Sequence, residues 1–332
     1  MKIPNTFNLQ VSTDRLLTFS SVPQLRSVLR ELDGSFLIVG EGSNLLFTSS
    51  HYDGTVLRSA ITGYEFTEDG PDMLVTAGSG VHWDDFVAVT VSRNLWGAEN
   101  LSYIPGTVGA SAVQNIGAYG AEAGDIIHSV EAIEIATGNK RVFMRDDCRY
   151  AYRSSVFKHE LANRYVITSV TYRLSRTPRP NLSYRPLAEA FAGKPSPSIM
   201  DIRNAVISIR RFKLPEPAEV GSAGSFFMNP VVTPAEFEML RKEYADIPHF
   251  PVLDPLTRQL TGVKIPAAWL IDHAGLKGHT IGGASVHVSQ PLVIINRTGN
   301  ATADDIVALS GHVILTVKQM FNITLHPEVI FI

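Results

Sequence analysis

One cysteine, Cys148, stands in 332 residues, so no internal disulfide can form and the chain suits a reducing compartment. No apolar run approaches the roughly 20 residues that span a bilayer, which argues against a helical membrane protein. The opening residues Met1-Lys2-Ile3-Pro4-Asn5 are too polar for a secretory signal, and a cytoplasmic location is expected. The ten histidines show no pair at metal-ligand spacing with a matching carboxylate, so no metal is expected. Internal repeats and low-complexity segments are missing too, which sets aside solenoids and biased linkers. Cys148 reads as an incidental residue rather than a nucleophile.

A hydrophobic fraction of 45% and a charged fraction of 18% describe a well-packed globular chain, long enough for two or three domains. The net charge of −3 conceals an uneven distribution: Arg141 to Lys213 hold 15 Lys and Arg against 5 Asp and Glu. Such a field suits an anionic partner or a solvated basic face. Nucleic acid is the weaker partner, because these basic residues spread over strands and a helix with no recognisable binding module.

The local patterns point to an α+β fold. In a first lobe, residues 1–69, a helix over 22–31 follows Ser20-Ser21, and a strand over 36–39 runs into Gly40-Glu41-Gly42-Ser43-Asn44. Short strands are expected at 45–47 and 55–57, with a turn near Glu68-Asp69-Gly70. A second lobe, residues 70–214, reads as strands over 73–77, 127–135 and 165–174, with helices over 81–93 and from Ile199 to before Leu214. Pro215-Glu216-Pro217 reads as a linker into a third domain, residues 215–321. Its helices start at the capping box Thr233-Pro234-Ala235-Glu236, at Pro266 and at Ala303. Residues 322–332 form a closing strand.

Two glycine-rich segments carry the chemistry. No helix is expected directly after Gly40-Glu41-Gly42-Ser43-Asn44, so it is a poor strand–glycine–helix dinucleotide fingerprint. It reads better as a nest, in which glycine backbone angles aim several N–H groups at a diphosphate, or as an ordinary turn. Ile104 to Gly120 (IPGTVGASAVQNIGAYG) interleaves Gly106, Gly109, Gly117 and Gly120 with small residues and permits close approach of an extended ligand. Gln114 and Asn115 there offer paired donors and acceptors for the edge of a heterocycle. Together the two segments imply a large phosphate-bearing cofactor.

The chain resembles the UDP-N-acetylenolpyruvoylglucosamine reductase family, flavoenzymes of peptidoglycan precursor synthesis. The resemblance rests on GEGSN, IPGTVGASAVQNIGAYG, YRSSVFK (Tyr152–Lys158), KLP (Lys213–Pro215), GSAGSFFMNP (Gly221–Pro230), WLIDHAGLKG (Trp269–Gly278) and HPEV (His326–Val329), in the family's order along nearly the whole chain. It implies two FAD-binding lobes of the vanillyl-alcohol-oxidase type, a third α+β substrate-binding domain, and a last strand that returns to the active site. FAD would be held without a covalent bond, since neither glycine segment contains His or Cys, and NADPH would be the hydride donor. The cofactor would lie against Gly40, Glu41, Gly42, Ser43, Asn44 and Leu45, and against Pro105, Gly106, Thr107, Gly109, Ala110, Gln114, Asn115, Gly117, Ala118, Tyr119 and Gly120.

The same resemblance makes Ser225 the acid that protonates C2 of the enolpyruvyl group after hydride reaches C3. Glu328 and Arg153 would stabilise the enolate. On residue chemistry alone each of the three also fits a plain structural role. Tyr152, Tyr184, Lys213, Asn229, Lys277 and Gln290 would bind UDP-N-acetylglucosamine-enolpyruvate. Tyr184 lies in an insertion like that of the family subgroup whose tyrosine loop closes over the diphosphate. Met228, Ser154, Phe250 and Ile330 depart from the family's commoner lysine, aspartate, tyrosine and arginine, which bears on affinity more than on reaction type. A monomer is expected. Two rival readings stay open: a flavin-dependent oxidase of a small alcohol or hydroxy acid, and a non-catalytic module that binds flavin or a nucleotide sugar.

Overall fold

The structure, a computed structural model, describes residues 1–193, 196–216, 219–254 and 257–332. Among these residues the chain forms two compact units. The first comprises Met1–Ile3, Ser12–Gly42 and His51–Phe212; the second comprises Pro4–Val11, Ser43–Ser50 and Lys213–Ile332. The sequence boundary near residue 69 therefore lies inside the first unit. Of the expected linker, Pro217 lies outside the described residues.

The first unit contains two sheets. Strands Ser12–Phe19, His51–Ser59 and Phe36–Ile38 form a parallel one with His51–Ser59 in the middle. The helix Val22–Arg30 follows Ser21, whose hydroxyl accepts from Gln24 N at 3.3 Å, and buries Leu25 and Leu29. The second sheet is antiparallel, in the order Lys140–Met144, Ile127–Glu134, Tyr165–Ser175, Asp72–Gly78, Tyr64–Asp69.

Its core is aromatic. Trp83 and Phe86, one helical turn apart in the helix Trp83–Ser92, meet Tyr172 from the central strand at ring separations of 5.7 and 4.4 Å. All three are fully buried, and burial of side chains this size contributes roughly 2–3 kcal/mol each. Their polar atoms find partners: Trp83 Nε1 donates to Leu101 O at 2.8 Å, and the Tyr172 hydroxyl lies 2.9 Å from Ser111 Oγ.

Ser111 belongs to an element the sequence did not announce. Within the glycine-rich segment the chain forms the helix Val108–Gln114, where a cradle for an extended ligand was expected. Thr107 caps it and Asn115 closes it in the left-handed conformation, φ 48°. The glycine and alanine content reflects packing. A Cβ on Gly109 would stand 2.9 Å from Ser79 Cβ, so only glycine lets this helix seat on the turn after Asp72–Gly78. The strand Ser12–Phe19 and the hairpin Gly117–Ala118/Ala121–Glu122 were also not anticipated.

The second unit carries a four-stranded sheet, Gly221–Ser225, Val293–Asn296, Ala284–Val286 and Thr280–Ile281. A three-stranded one runs Val231–Val232, Leu260–Lys264, Phe250–Leu253. Helix Pro234–Glu243 begins at the expected capping box, with Glu236 Oε2 accepting from Thr233 N at 2.8 Å. Helix Ala303–Phe321 buries Ile306, Leu309, Val313, Val317 and Phe321, an apolar stripe at helical spacing, while Met320 faces solvent. The closing strand is short: Ile330–Phe331 pairs in parallel with Leu45–Leu46.

Candidate active site

In the first unit the two glycine segments are laced together through one carboxylate. Glu41 Oε2 accepts from Gly106 N at 2.5 Å, and Oε1 pairs closely with His82 Nδ1. The backbone adds Trp83 N to Gly106 O, Val108 N to Val81 O and Gly109 N to Ser79 O, each at 2.9 Å. Gly40 packs so tightly on the cap of Val108–Gln114 that a Cβ there would lie 2.9 Å from Thr107 Oγ1. Gly42 takes φ 66°, the left-handed region that glycine enters freely. His82 was missed by the sequence reading, which looked for histidine only inside the two glycine segments. The available signal was the turn Gly78-Ser79-Gly80 just before it.

Beside this lacing lies a cavity of about 420 Å³, lined among others by Arg58, Tyr64, Gly80, His82 and Asp85. An aromatic face, a guanidinium and exposed backbone suit one end of a dinucleotide. Asn115, expected at a heterocycle edge, turns inward instead. It is fully buried, its Nδ2 donates to Glu122 Oε2 and Ala151 O at 2.8 Å, and its Oδ1 accepts from Gly124 N at 2.8 Å. The amide is consumed by the scaffold, while Gln114 stays half-buried.

Arg153 packs against the end of the glycine-rich segment. Its φ of 53° is a left-handed angle that residues with a side chain rarely adopt. The guanidinium donates to Gly117 O at 2.7 Å, and a Cβ on Gly117 would come within 2.7 Å of it. The Tyr152 ring lies 5.0 Å from its carbon, and Lys158 Nζ donates to Arg153 O at 2.9 Å. Tyr119 and Gly120 form the hairpin tip, and the Tyr184 ring meets Tyr119 edge-on at 5.1 Å. Cys148 is buried, donates to Met144 O at 3.4 Å, and has its thiol pushed up to about 11 by burial, as befits an unreactive residue.

The second unit brings Ser225 and Glu328 onto adjoining backbone. The register between Gly221–Ser225 and Val293–Asn296 slips between Ser222 and Ser225, with Gly224 at φ 69°. A bulge of this kind re-aims the next side chain, and Ser225 ends up exposed. Phe226 and Phe227, both buried, pin the segment directly after it. Phe226 N bonds Leu292 O at 2.7 Å and Phe226 O accepts from Glu328 N at 2.8 Å. Asn44 joins the group: Nδ2 donates to Glu328 O at 3.1 Å and its carbonyl accepts from Ile330 N at 3.0 Å. Ser43, Asn44 and Leu45 thus fold with the closing residues, while Gly40 to Gly42 fold with the first unit.

The expected substrate contacts are partly engaged already. Asn229 Oδ1 accepts from Ala267 N at 2.9 Å, at the start of the helix Ala267–His273. Lys277 Nζ pairs with Asp272 at 2.6 Å. Gln290 N donates to His287 Nδ1 at 3.2 Å, and burial holds the His287 ring below its usual range. Lys213 ends the helix Ile199–Lys213. Among the described residues no three His, Cys, Asp or Glu side chains gather as a metal would require. No helix among them is long and apolar enough to cross a membrane.

Two family models and several known proteins match the chain. A family model described as the C-terminal domain of UDP-N-acetylenolpyruvoylglucosamine reductase matches residues 216–332, and one described as an FAD binding domain matches residues 14–142. The reductase of Porphyromonas gingivalis strain W83 is 44% identical over 99% of this chain and 96% of its own length. That of Neisseria gonorrhoeae is 42% identical over 98% and 93%. The crystal structure of the Thermus caldophilus reductase superposes with a TM-score of 0.66 at 23% identity, covering 98% of this chain and 94% of its own, which shows a shared fold. With near-complete relatives at this identity, a flavin-binding α+β fold and a matching C-terminal domain, the chain belongs to the UDP-N-acetylenolpyruvoylglucosamine reductase family.

Proposed function

We propose that this chain reduces the enolpyruvyl group of UDP-N-acetylglucosamine-enolpyruvate to give UDP-N-acetylmuramate, with bound FAD and with NADPH as reductant. The observation that carries the reading is the bulge that exposes Ser225 on backbone bonded to Glu328. When bound, FAD supplies hydride transfer between NADPH and C3 of the enolpyruvyl group. The laced glycine segments and the cavity beside His82 suit such a group, and Gly40, Gly42 and Thr107 would hold its diphosphate, with Gly106 fixed beside them by Glu41.

The chain's own residues handle charge and proton. Hydride at C3 leaves an electron pair at C2, delocalised onto the adjoining carboxylate. Arg153 stabilises that anion, because a guanidinium presents fixed donors to a planar carboxylate. Glu328 can assist there only as the carboxylic acid, donating a hydrogen bond to the same anion. Ser225 then gives its hydroxyl proton to C2, forming the C–H bond, and recovers a proton from water. A serine hydroxyl is a weak acid and can serve only against a carbon this basic. Tyr184, Lys213 and Lys277 bind the nucleotide-sugar diphosphate, with Lys277 exchanging Asp272 for phosphate. The role belongs to peptidoglycan precursor synthesis in the cytoplasm, carried out by a monomer.

The test separates the two half-reactions. In Ser225→Ala, reduction of bound FAD by NADPH should proceed at the wild-type rate. Reoxidation by the enolpyruvyl sugar should slow by about 100-fold or more, the usual contribution of a positioned acid. Equal rates of reoxidation would remove Ser225 from the chemistry.

A further inference from the structure

The hairpin tip and the Tyr184 segment are held by one buried side chain. Asn100, 1% exposed in the 3-10 turn Glu99–Leu101, donates both Nδ2 hydrogens, to Tyr119 O and to Asn181 O, each at 2.8 Å. Its orientation is set by chemistry: the flipped amide would put oxygen against two carbonyl oxygens. The carbonyl oxygen Oδ1 is itself buried with no partner among the described residues, so the side chain forgoes one bond to make the other two. Tyr119 and Gly120, with φ of 51° and 83°, are the two central residues of a hairpin whose strands are Gly117–Ala118 and Ala121–Glu122.

On the outer side the circuit closes through Asn181. Its Nδ2 donates to Gly120 O at 2.9 Å, and its Oδ1 accepts from Ser183 N at 3.1 Å and Ser183 Oγ at 2.7 Å. Ser183 occupies the space that a side chain on Gly120 would need, 2.3 Å from an added Cβ. The next residue is Tyr184, whose ring packs on Tyr119. A single buried amide therefore fixes both the end of the glycine-rich segment and the approach to Tyr184.

We propose that Asn100 is a positioning residue for the nucleotide-sugar diphosphate, acting through residues 181–184 and tying their position to the glycine-rich segment. This rests on the function proposed above for the diphosphate contact of Tyr184. Asn100 touches neither reactant; it sets where Tyr184 waits.

The experiment compares Asn100→Ala, Tyr184→Ala and the double variant as FAD-loaded enzymes. Asn100→Ala should raise KM for UDP-N-acetylglucosamine-enolpyruvate roughly ten-fold, the effect of losing two neutral hydrogen bonds. Reduction of FAD by NADPH should stay within about two-fold of wild type. The double variant should be no worse than Tyr184→Ala, because the two changes interrupt one chain of contacts. Multiplying effects, or an equal fall in FAD reduction, would overturn the proposal.

A second readout needs no turnover. Amide exchange at Ser183 and Leu187 should quicken about ten-fold in Asn100→Ala relative to wild type and stay unchanged in the helix Ala303–Phe321. Unchanged exchange at Ser183 would also overturn the anchor. If Asn100→Ala does not fold, Asn181→Ala keeps the backbone carbonyl that Asn100 holds but removes the side-chain bonds to Gly120 O and Ser183, the outer half of the circuit, and should shift KM and exchange at Ser183 in the same direction. Wild-type enzyme that ignores the enolpyruvyl sugar would bring down the proposed function, and the exchange result would still decide the anchor.

Discussion

Glu41 spends its carboxylate on two neighbours, the Gly106 amide and His82, so that the glycine segments keep one spacing. It acts as a clamp on the cradle. Removing it leaves the Gly106 N–H without its acceptor, and a hydrogen bond to a charged group is worth about 1.5–3 kcal/mol. Glu41→Ala should therefore weaken FAD binding by roughly 10- to 100-fold on that scale, measured as flavin fluorescence released on dilution. FAD held as tightly as in wild type would show that the clamp does not matter. At this scale the glycines in the motifs were informative about backbone, as with the register shift before Ser225. The motifs were less so for Asn115, because an amide serves a helix end as readily as a ligand edge. Nothing in one sequence separates those two uses.

Elements declared by caps and periodicity were legible: Ser21 before Val22–Arg30, the Thr233–Glu236 box, and the apolar stripe of Ala303–Phe321. The helix Val108–Gln114 was not, because Gly109, Ala110, Ser111 and Ala112 suggest a ligand cradle when read without their neighbours. Its stability comes from seating on Tyr172 and Ser79, and short helices generally depend on such packing. The strand Ser12–Phe19 hides for another reason: its register shifts between Thr13 and Arg15, which breaks the two-residue alternation.

Two elements are also tied by charge. Arg203 in Ile199–Lys213 grips Asp84 in Trp83–Ser92 with bonds of 2.7 and 2.8 Å, and Tyr103 N adds a third at 2.5 Å. Burial works against the Asp84 carboxylate, but these bonds and the charges of Arg203 and Arg210 outweigh it and hold its carboxyl below the usual range. A lowered folded-state pKa adds stability above the unfolded value of about 4, and that stability is lost as pH falls through the folded value. Asp84→Asn should thus cost about 1–2 kcal/mol near neutral pH, modest because solvent screens a partly exposed pair. The gap from wild type should close as pH falls below about 4. Urea melts at the two pH values check it, and a gap that ignores pH would assign the loss to packing.

Over the whole molecule, linear lobes gave way to units built from distant pieces. Pro4–Val11 folds with the second unit because Ser222 N reaches Thr6 O at 2.8 Å and Asn296 Nδ2 reaches Phe7 O at 3.0 Å. A Cβ on Gly221 would clash with Phe7 O at 2.2 Å, so this glycine is kept for backbone contact across more than 200 residues. No local pattern carries that information. The basic stretch from Arg141 to Lys213 likewise suited either an anionic partner or a solvated basic face. Much of it is neutralised in place, through Arg173–Asp69, Arg176–Glu68, Arg149–Glu160 and Arg203–Asp84. Arg153, Ser225 and Glu328 carry the proposed chemistry.

The account therefore turns on whether those residues make this chain a reductase. The most direct measurement is NADPH oxidation by the purified, FAD-loaded protein with and without UDP-N-acetylglucosamine-enolpyruvate. The account predicts oxidation that requires the enolpyruvyl sugar and matches formation of UDP-N-acetylmuramate one for one. NADPH consumed equally in its absence, or not consumed at all, would contradict it.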